Sequence, residues 1–426
     1  MHIKNLVTLV GLLLAGLLQA CGGGAATGNT GLVRLVNATH GVAALDLRVS
    51  GANIITDVAA GTTSGYVERE AGTAAFQLGA TGSTTTILTQ SASVGEDASY
   101  TFVAYVTDNA LHAVFFDDAE DAPSSSTAKF RVFNGSNEAG SLDVYLTDAA
   151  DTANDLSSAT PVNAAVDGEK FGAYGEIGAG RYRLRVTAAD DRTDVRLDIA
   201  SITLTDQQVA TLVITSTDGG VLVDGLLLNQ AGSATALPNG SMRLRVAADT
   251  TLNAKVTLAQ GTTNLASLNS PSIGNYVTVP GNLAGLTLKV DGVGLALPAT
   301  DAGPGSDLTL LVYGDAAHPQ AVFLPDDNRV PTSSGRSTVR LVHGINGSTG
   351  TLSLDVDFSA AAAGVALGAA SPYATVTAGT GMRFDVRADG VRLSGGEDVD
   401  MVANAVYTLF MLGDTTTPVF LLRRDR

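Results

Sequence analysis

Four stretches of the chain open with the same alternation of apolar and charged positions: Val33-Arg34-Leu35-Val36, Phe130-Arg131-Val132-Phe133, Met242-Arg243-Leu244-Arg245 and Val339-Arg340-Leu341-Val342. A period of two sends successive side chains to opposite faces of a strand, so each stretch predicts a half-buried β-strand. The starts lie 97, 112 and 97 residues apart, which marks an internal repeat. Each copy continues with a tyrosine (Tyr66, Tyr174, Tyr276, Tyr373) and then a small-residue turn (Ala71-Gly72, Ala179-Gly180, Pro280-Gly281, Ala378-Gly379). The second copy reaches its tyrosine late because an Asp, Ala and Ser insertion around Asp148 to Thr160 lengthens a loop. Every copy closes with two apolar runs around an aspartate (Asp108, Asp218, Asp315, Asp414), which reads as a terminal hairpin.

Seven runs can be marked in the first copy: Val33 to Asn37, Leu45 to Ser50, Ser64 to Arg69, Ala74 to Leu78, Thr85 to Thr89, Tyr100 to Val106 and Leu111 to Phe116. Short strands at this spacing predict an all-β protein of four tandem immunoglobulin-like β-sandwich modules, without the Cys and Trp hallmarks of antibody domains. In Arg181-Tyr182-Arg183-Leu184-Arg185-Val186 the alternation sends Tyr182, Leu184 and Val186 into a core and leaves three arginines wet. The Ala-rich stretch Phe358 to Ala370 carries two glycines and is expected to be a loop rather than a helix. The recurring Arg34, Arg131, Arg243 and Arg340 are expected on a solvated outer face, where they aid solubility and protect edges, with a binding stripe as the alternative.

The modules are expected at residues 31–118, 129–230, 241–328 and 338–426, joined by the polar connectors Ala119 to Thr127, Ala231 to Gly240 and Arg329 to Thr338. Units of this size can each bury a core, so the expected picture is beads on a string. Residues 1–20, with Lys4 followed by an apolar run from Leu6 to Leu18, read as a signal peptide, too short to remain as a membrane span. Residues 21–30 form a Gly, Ala, Thr and Asn tract that reads as a flexible tether.

Composition narrows the functions. With 25 Lys plus Arg against 42 Asp plus Glu the formal charge is −17, which disfavours nucleic acid as a partner because phosphate-backbone binding needs basic surface. With 45% hydrophobic and 16% charged residues there is enough apolar surface for folded cores. The chain has 22 Phe plus Tyr and no Trp, poor material for an aromatic sugar-stacking platform.

Two resemblances add to this reading. Leu18-Gln19-Ala20-Cys21-Gly22 resembles the lipobox of bacterial lipoproteins. That resemblance implies that Cys21 becomes the acylated first residue and anchors the protein to a membrane through lipid. Gly22 stands where an inner-membrane retention Asp would be, so the resemblance points to the outer membrane of a Gram-negative cell. The copies themselves, through Val33-Arg34-Leu35-Val36, Leu45-Asp46-Leu47, Ser64-Gly65-Tyr66 and Ala71-Gly72, and through Val339 to His343, Leu354-Asp355-Val356, Tyr373 and Ala378-Gly379, resemble the bacterial domain-of-unknown-function family 4397. The second copy keeps Leu142-Asp143-Val144-Tyr145 but lacks the His, and the third has Ala254-Lys255-Val256 where the Asp would fall. The family implies a β-sandwich and no known activity.

No catalytic constellation emerges. No two of the five His stand at a metal-ligand spacing such as i and i+4, and His40 and His343 read as turn-stabilising residues after the first strand of their copies. Ser126-Thr127-Ala128-Lys129 has the Ser-x-x-Lys spacing but enters a strand rather than the helix that chemistry requires. The sequons at Asn37, Asn134, Asn239 and Asn346 read as turns, three of them carrying Asn-Gly. Acidic clusters precede the second and fourth copies: Asp117, Asp118, Glu120 and Asp121, then Asp326 and Asp327 with Asn328. They read first as solvated linkers and second as calcium sites that would stiffen the joints; no other cofactor is expected. The sequence thus points to a non-enzymatic, lipid-anchored envelope protein whose modules bind or adhere to a glycan, peptide or envelope protein. A structural spacer or assembly component is the alternative, and an uncharacterised hydrolase comes third.

Overall fold

The computed structural model describes residues 29–150, 155–230 and 232–426, the side chain of residue 252 excepted; the lipobox-like segment and Cys21 lie outside the described residues. In the first module the strands are β1 (Thr30–Asn37), β2 (Ala44–Val49), β3 (Ala52–Ala59), β4 (Thr62–Thr63), β5 (Val67–Glu70), β6 (Gly72–Ala80), β7 (Leu88–Val94), β8 (Ser99–Thr107) and β9 (Ala110–Asp117). One sheet runs β4-β1-β8-β9, with β5 continuing the edge beside β1, and the other runs β3-β2-β6-β7. β1 and β8 are parallel, and β8 turns into β9 through Asp108 and Asn109, both at positive φ, the geometry a two-residue hairpin loop demands.

The other three modules repeat this plan. Each has an opening strand (Thr127–Asn134, Ser241–Thr250, Arg336–His343) parallel to the first strand of its closing hairpin and faced by a second four-stranded sheet, and in the second module Ala234–Leu237 adds one more strand beyond that hairpin. The all-β tandem architecture is therefore as the repeat predicted; among the described residues the one helical element is a single 3-10 turn at Thr251–Asn253. Four strand assignments differ, the first being the expected run Ser64 to Arg69, of which only the part from Val67 is strand. β3 follows β2 after a tight turn, and β7 starts three residues later than expected. The Ala-rich stretch in the fourth module is a strand, Ser359–Val365.

β3 is irregular against β2, and the aspartate of the second strand accounts for it. The register slips between Leu45 and Leu47, leaving Asp57 at φ 58°, and Asp46 Oδ1 accepts its N–H at 3.0 Å. Asp143 does the same for Ala165, at φ 47°, over 2.8 Å. The Asp is a side-chain partner for a backbone donor that the bulge frees from the ladder.

Each module has its own core. In the first, Val33, Leu35, Leu45, Leu47, Phe76 and Phe102 meet between the sheets. The outer face of the opening sheet is buried as well, which corrects the beads-on-a-string expectation. Val36, Ala38, Val103 and Tyr105 of the first module pack on Phe133, Val213, Leu226 and Leu228 of the second. Ala247, Ile273, Leu311 and Leu324 of the third pack on Val342, Phe410 and Leu412 of the fourth. The modules stand as two face-to-face pairs, each joined through the sheet that carries the repeated arginine.

Truncating the fully buried Phe410 in the second pair should cost about 3–5 kcal/mol, the range for core Phe→Ala changes. Urea denaturation of Phe410→Ala should show that loss in a transition shared by the third and fourth modules; unchanged stability would mean that the pair is not a cooperative unit.

Candidate functional site

The repeated arginine lies on the outward face of a central strand, and outward here means into the neighbouring module. Arg34, Arg245 and Arg340 are at most 3% exposed, so the expectation of a solvated arginine face is wrong for Arg34 and Arg340. Register also corrects one assignment: Arg34, Arg131, Arg245 and Arg340 stand opposite Thr101, Thr211, Thr309 and Thr408, so Arg245 and not Arg243 is the repeat position in the third module.

Around each arginine the fold assembles the same groups. Arg34 Nε donates to Thr101 Oγ1 at 2.8 Å, Arg245 Nε to Thr309 at 2.8 Å and Arg340 Nε to Thr408 at 3.2 Å. A tyrosine ring covers the guanidinium, at 5.0 Å for Tyr66, 4.6 Å for Tyr276 and 4.8 Å for Tyr373. The backbone explains the tyrosine: the edge strand breaks between β4 and β5, and Tyr66 sits in the break. Tyr174 and Tyr276 occupy the matching gaps before Gly175–Gly178 and Val277–Pro280.

An aspartate just after the last strand completes the set. Asp118 accepts from Thr101 and from the Tyr66 hydroxyl, each at 2.6 Å, and lies 3.4 Å from Arg34. Burial and the hydrogen bond to Asp118 push the Tyr66 phenol well above its ordinary range, so it serves as a donor. In the second pair the aspartates are exchanged. Arg340 of the fourth module binds Asp326 of the third, and Arg245 of the third binds Asp425 of the fourth. The exchange extends to the backbone: Asp249 accepts from Gly413 N–H at 2.8 Å, and Asn346 accepts from Gly314 N–H at 2.6 Å. Reciprocal contacts of this kind are those of a two-fold interface.

The first pair departs from this symmetry. Gln230 occupies the position of Asp118, as their matching backbone bonds to Val209 and Ser99 show. Arg34 therefore donates across the interface to carbonyls, Gly232 O at 2.6 Å and Asn229 O at 3.0 Å. Arg131 lies instead among the rings of Phe116, Phe171 and Tyr174, at 4.3–4.9 Å, and burial lowers its pKa.

The acidic residues raised as calcium ligands are engaged by cations or stand apart. Asp118 and Asp326 belong to the arginine sites, Asp327 pairs with Arg329 at 2.6 Å and Glu120 with Lys129. Asp117 and Asp121 are exposed, and among the described residues no three acidic, His or Cys side chains gather as a metal site. Lys129, the lysine of the Ser-x-x-Lys spacing, thus has an acidic partner, while Ser126 lies in an exposed turn. His343 stabilises its turn as expected, Nδ1 accepting from Ile345 N–H at 3.3 Å. Asn37 and Asn134, at the same position, accept from Thr39 and Ser136 N–H at 3.1 Å. His40 instead reaches across the first pair to Asp218 and Asp224, at 3.5 and 3.7 Å.

Residues 31–145 match the family model described as "Domain of unknown function (DUF4397)", which spans the first module and reaches into the second strand of the second. No curated protein matches the chain. Among solved structures, the chain is similar to one described as "Putative cell adhesion protein from Parabacteroides distasonis ATCC 8503". That likeness has 11% identity and a TM-score of 0.18, over 71% of this chain and 98% of that one. It is also similar to the Bacillus anthracis TIE protein, at 10% identity and a TM-score of 0.13, over 90% and 68%. At these scores neither likeness carries an argument.

Two outcomes follow from the arginine sites. Arg245→Ala strands the buried Asp425 carboxylate and should cost about 3–5 kcal/mol, whereas Arg245→Met with Asp425→Leu should recover most of that loss; a double-mutant cycle by urea denaturation checks it. Asp249 is buried with Oδ2 unpartnered, and burial raises its pKa to about 8. A carboxyl raised on folding contributes stability below its unfolded pKa and loses it as pH rises through the folded value. Between pH 5 and pH 9 the denaturation midpoint of the second pair should therefore fall, and Asp249→Asn should flatten that slope.

Proposed function

We propose that the chain is a non-enzymatic, lipid-anchored envelope protein that holds paired β-sandwiches away from a membrane for recognition or adhesion. The observation that carries this reading is the lipobox-like Leu18 to Cys21 segment placed ahead of modules that pack in pairs, the second pair locked by buried Arg–Asp contacts. An acylated Cys21 attaches the chain through lipid, and stable attachment takes more than one acyl chain, which lipoprotein modification supplies. Among the described residues no helix is long and apolar enough to cross a membrane. The locked faces make a stiff scaffold whose hairpin tips, such as Ser50-Gly51, Asp291-Gly292 and Asp389-Gly390, stand in solvent. Loops on a rigid scaffold are where partner contacts concentrate.

A spacer or assembly role is the second reading, favoured by the contact of Arg329, in the connector before the fourth module, with Asn109 of the first at 2.7 Å. Two measurements test the proposal. Cys21→Ser should abolish palmitate labelling and release the protein from membranes. The four-module chain from residue 29, applied to a glycan array and to immobilised envelope proteins, should bind saturably; association only with itself would favour the spacer.

A further inference from the structure

A cavity of about 430 Å3 lies where the second, third and fourth modules meet. Thr193 and Arg196 enter it from the strand Asp191–Leu204, Arg243, Tyr276 and Thr278 from the third module, and Arg426 from the fourth. No one module forms it alone. In a chain of net charge −17, a cavity lined by three guanidinium groups, Arg196, Arg243 and Arg426, against two carboxylates, Asp194 and Asp425, stands against the general charge.

The carboxylates at this wall are already engaged. Asp194 holds Arg196 at 2.7 Å, Asp307 holds Arg243 at 3.0 Å, and Asp425 is turned to Arg245 and Thr408. Arg426 donates to the Gly220 carbonyl, and among the described residues no carboxylate pairs with it. Its own main-chain oxygen accepts from Val406 N–H and Arg424 Nε. Burial, with Arg196 and Arg243 as like-charged neighbours, pulls Arg426 down to about 10. Asp194 and Asp307 offset part of this from a distance, but a buried guanidinium that donates to a carbonyl and pairs with no carboxylate among the described residues is costly, and an incoming anion would relieve that cost.

We propose that this cavity binds an oxyanion group, carboxylate or phosphate, carried on a polar molecule of sugar size. Arg426 supplies the open charge, Arg196 and Arg243 flank it, and Thr193 and Thr278 line the cavity beside them, the Thr193 hydroxyl donating to Asp191 at 2.6 Å. The inference rests on the recognition reading and names a ligand class for it.

Calorimetric titration of the four-module chain with glucuronate, glucose 6-phosphate and neutral glucose tests this. Glucuronate or glucose 6-phosphate should bind saturably, weaken with salt and lose about tenfold or more in affinity in Arg426→Gln, while glucose gives no heat. Which anion binds tighter tells an acidic sugar from a phosphorylated one. Thr278→Glu, which places a carboxylate in the cavity, should abolish binding and raise the thermal midpoint. Arg48→Gln, at a separate cavity, should leave binding unchanged. No heat with either anion, or binding indifferent to both Arg426→Gln and Thr278→Glu, overturns the proposal. A chain that binds envelope material but neither anion refutes this site alone; one that binds an anion but no envelope component refutes the recognition reading alone.

Discussion

A guanidinium taken out of water is costly unless it meets a carboxylate or a full set of acceptors, and that cost organises this molecule. Each module carries an arginine on a central strand of its opening sheet, facing away from its own core. Leaving that sheet wet would solve the problem simply, but Val36, Val103, Phe133, Val213, Phe410 and Leu412 share the same outward faces. The apolar neighbours demand cover, and the cover removes water from the arginine. The Thr, Tyr and Asp of the repeat then become necessary, because together they satisfy Nε, the ring face and the charge. Hydrophobic pairing and polar satisfaction belong to one design, because the pairing creates the need that the Thr, Tyr and Asp meet.

Much of this could be read in the chain. Alternation gave the strands, the repeat gave the four modules, and the Tyr and Asp positions were visible as recurring marks without an explanation. What a period of two cannot disclose is what lies beyond the outer face. Arg34 alternating with Leu35 looks the same whether it meets solvent or another module, so a solvated reading was the natural one. The better signal was the company it keeps: Val36 two residues on, and the outward pair Val213 and Thr211, are unlike a wet face. The choice of Arg243 over Arg245 failed for a different reason, since both sit on one face of one strand and only the pairing with Thr309 separates them. The acidic clusters misled because adjacency in sequence hid opposite roles: Asp118 is buried under Tyr66 while Asp117 faces solvent.

The two pairs show how far such a lock can drift. In the third and fourth modules both aspartates are present and are traded across the interface, leaving a charge-balanced pair of sites related by an approximate two-fold axis. In the first pair one aspartate is Gln230, so the trade cannot occur. Arg34 keeps its own Asp118 and fills its remaining donors with carbonyls, while Arg131 is packed among three rings. Stacking on aromatic faces supplies part of what a carboxylate would, and Asp117, Asp118 and Glu120 offset the charge from farther away. The interface persists because its apolar contacts, and the aromatic set of Tyr105, Phe116, Phe133 and Phe171, do not depend on the exchange.

Pairing also dictates where unspent charge can appear. Within the second pair the face-to-face sheets balance their arginines internally, so an outside anion would have to break the lock to bind there. Between pairs the constraint relaxes: the second and third modules meet through turns, such as Thr217 with Gly305 and Gly219 with Gly305, rather than through sheets. At such a junction an arginine can be buried by three bodies at once and yet belong to no repeated Asp. Arg426 is in that position. Its carboxylate neighbour Asp425 is committed to the lock one residue away, so the same constraint that closes the second pair leaves the charge beside it open.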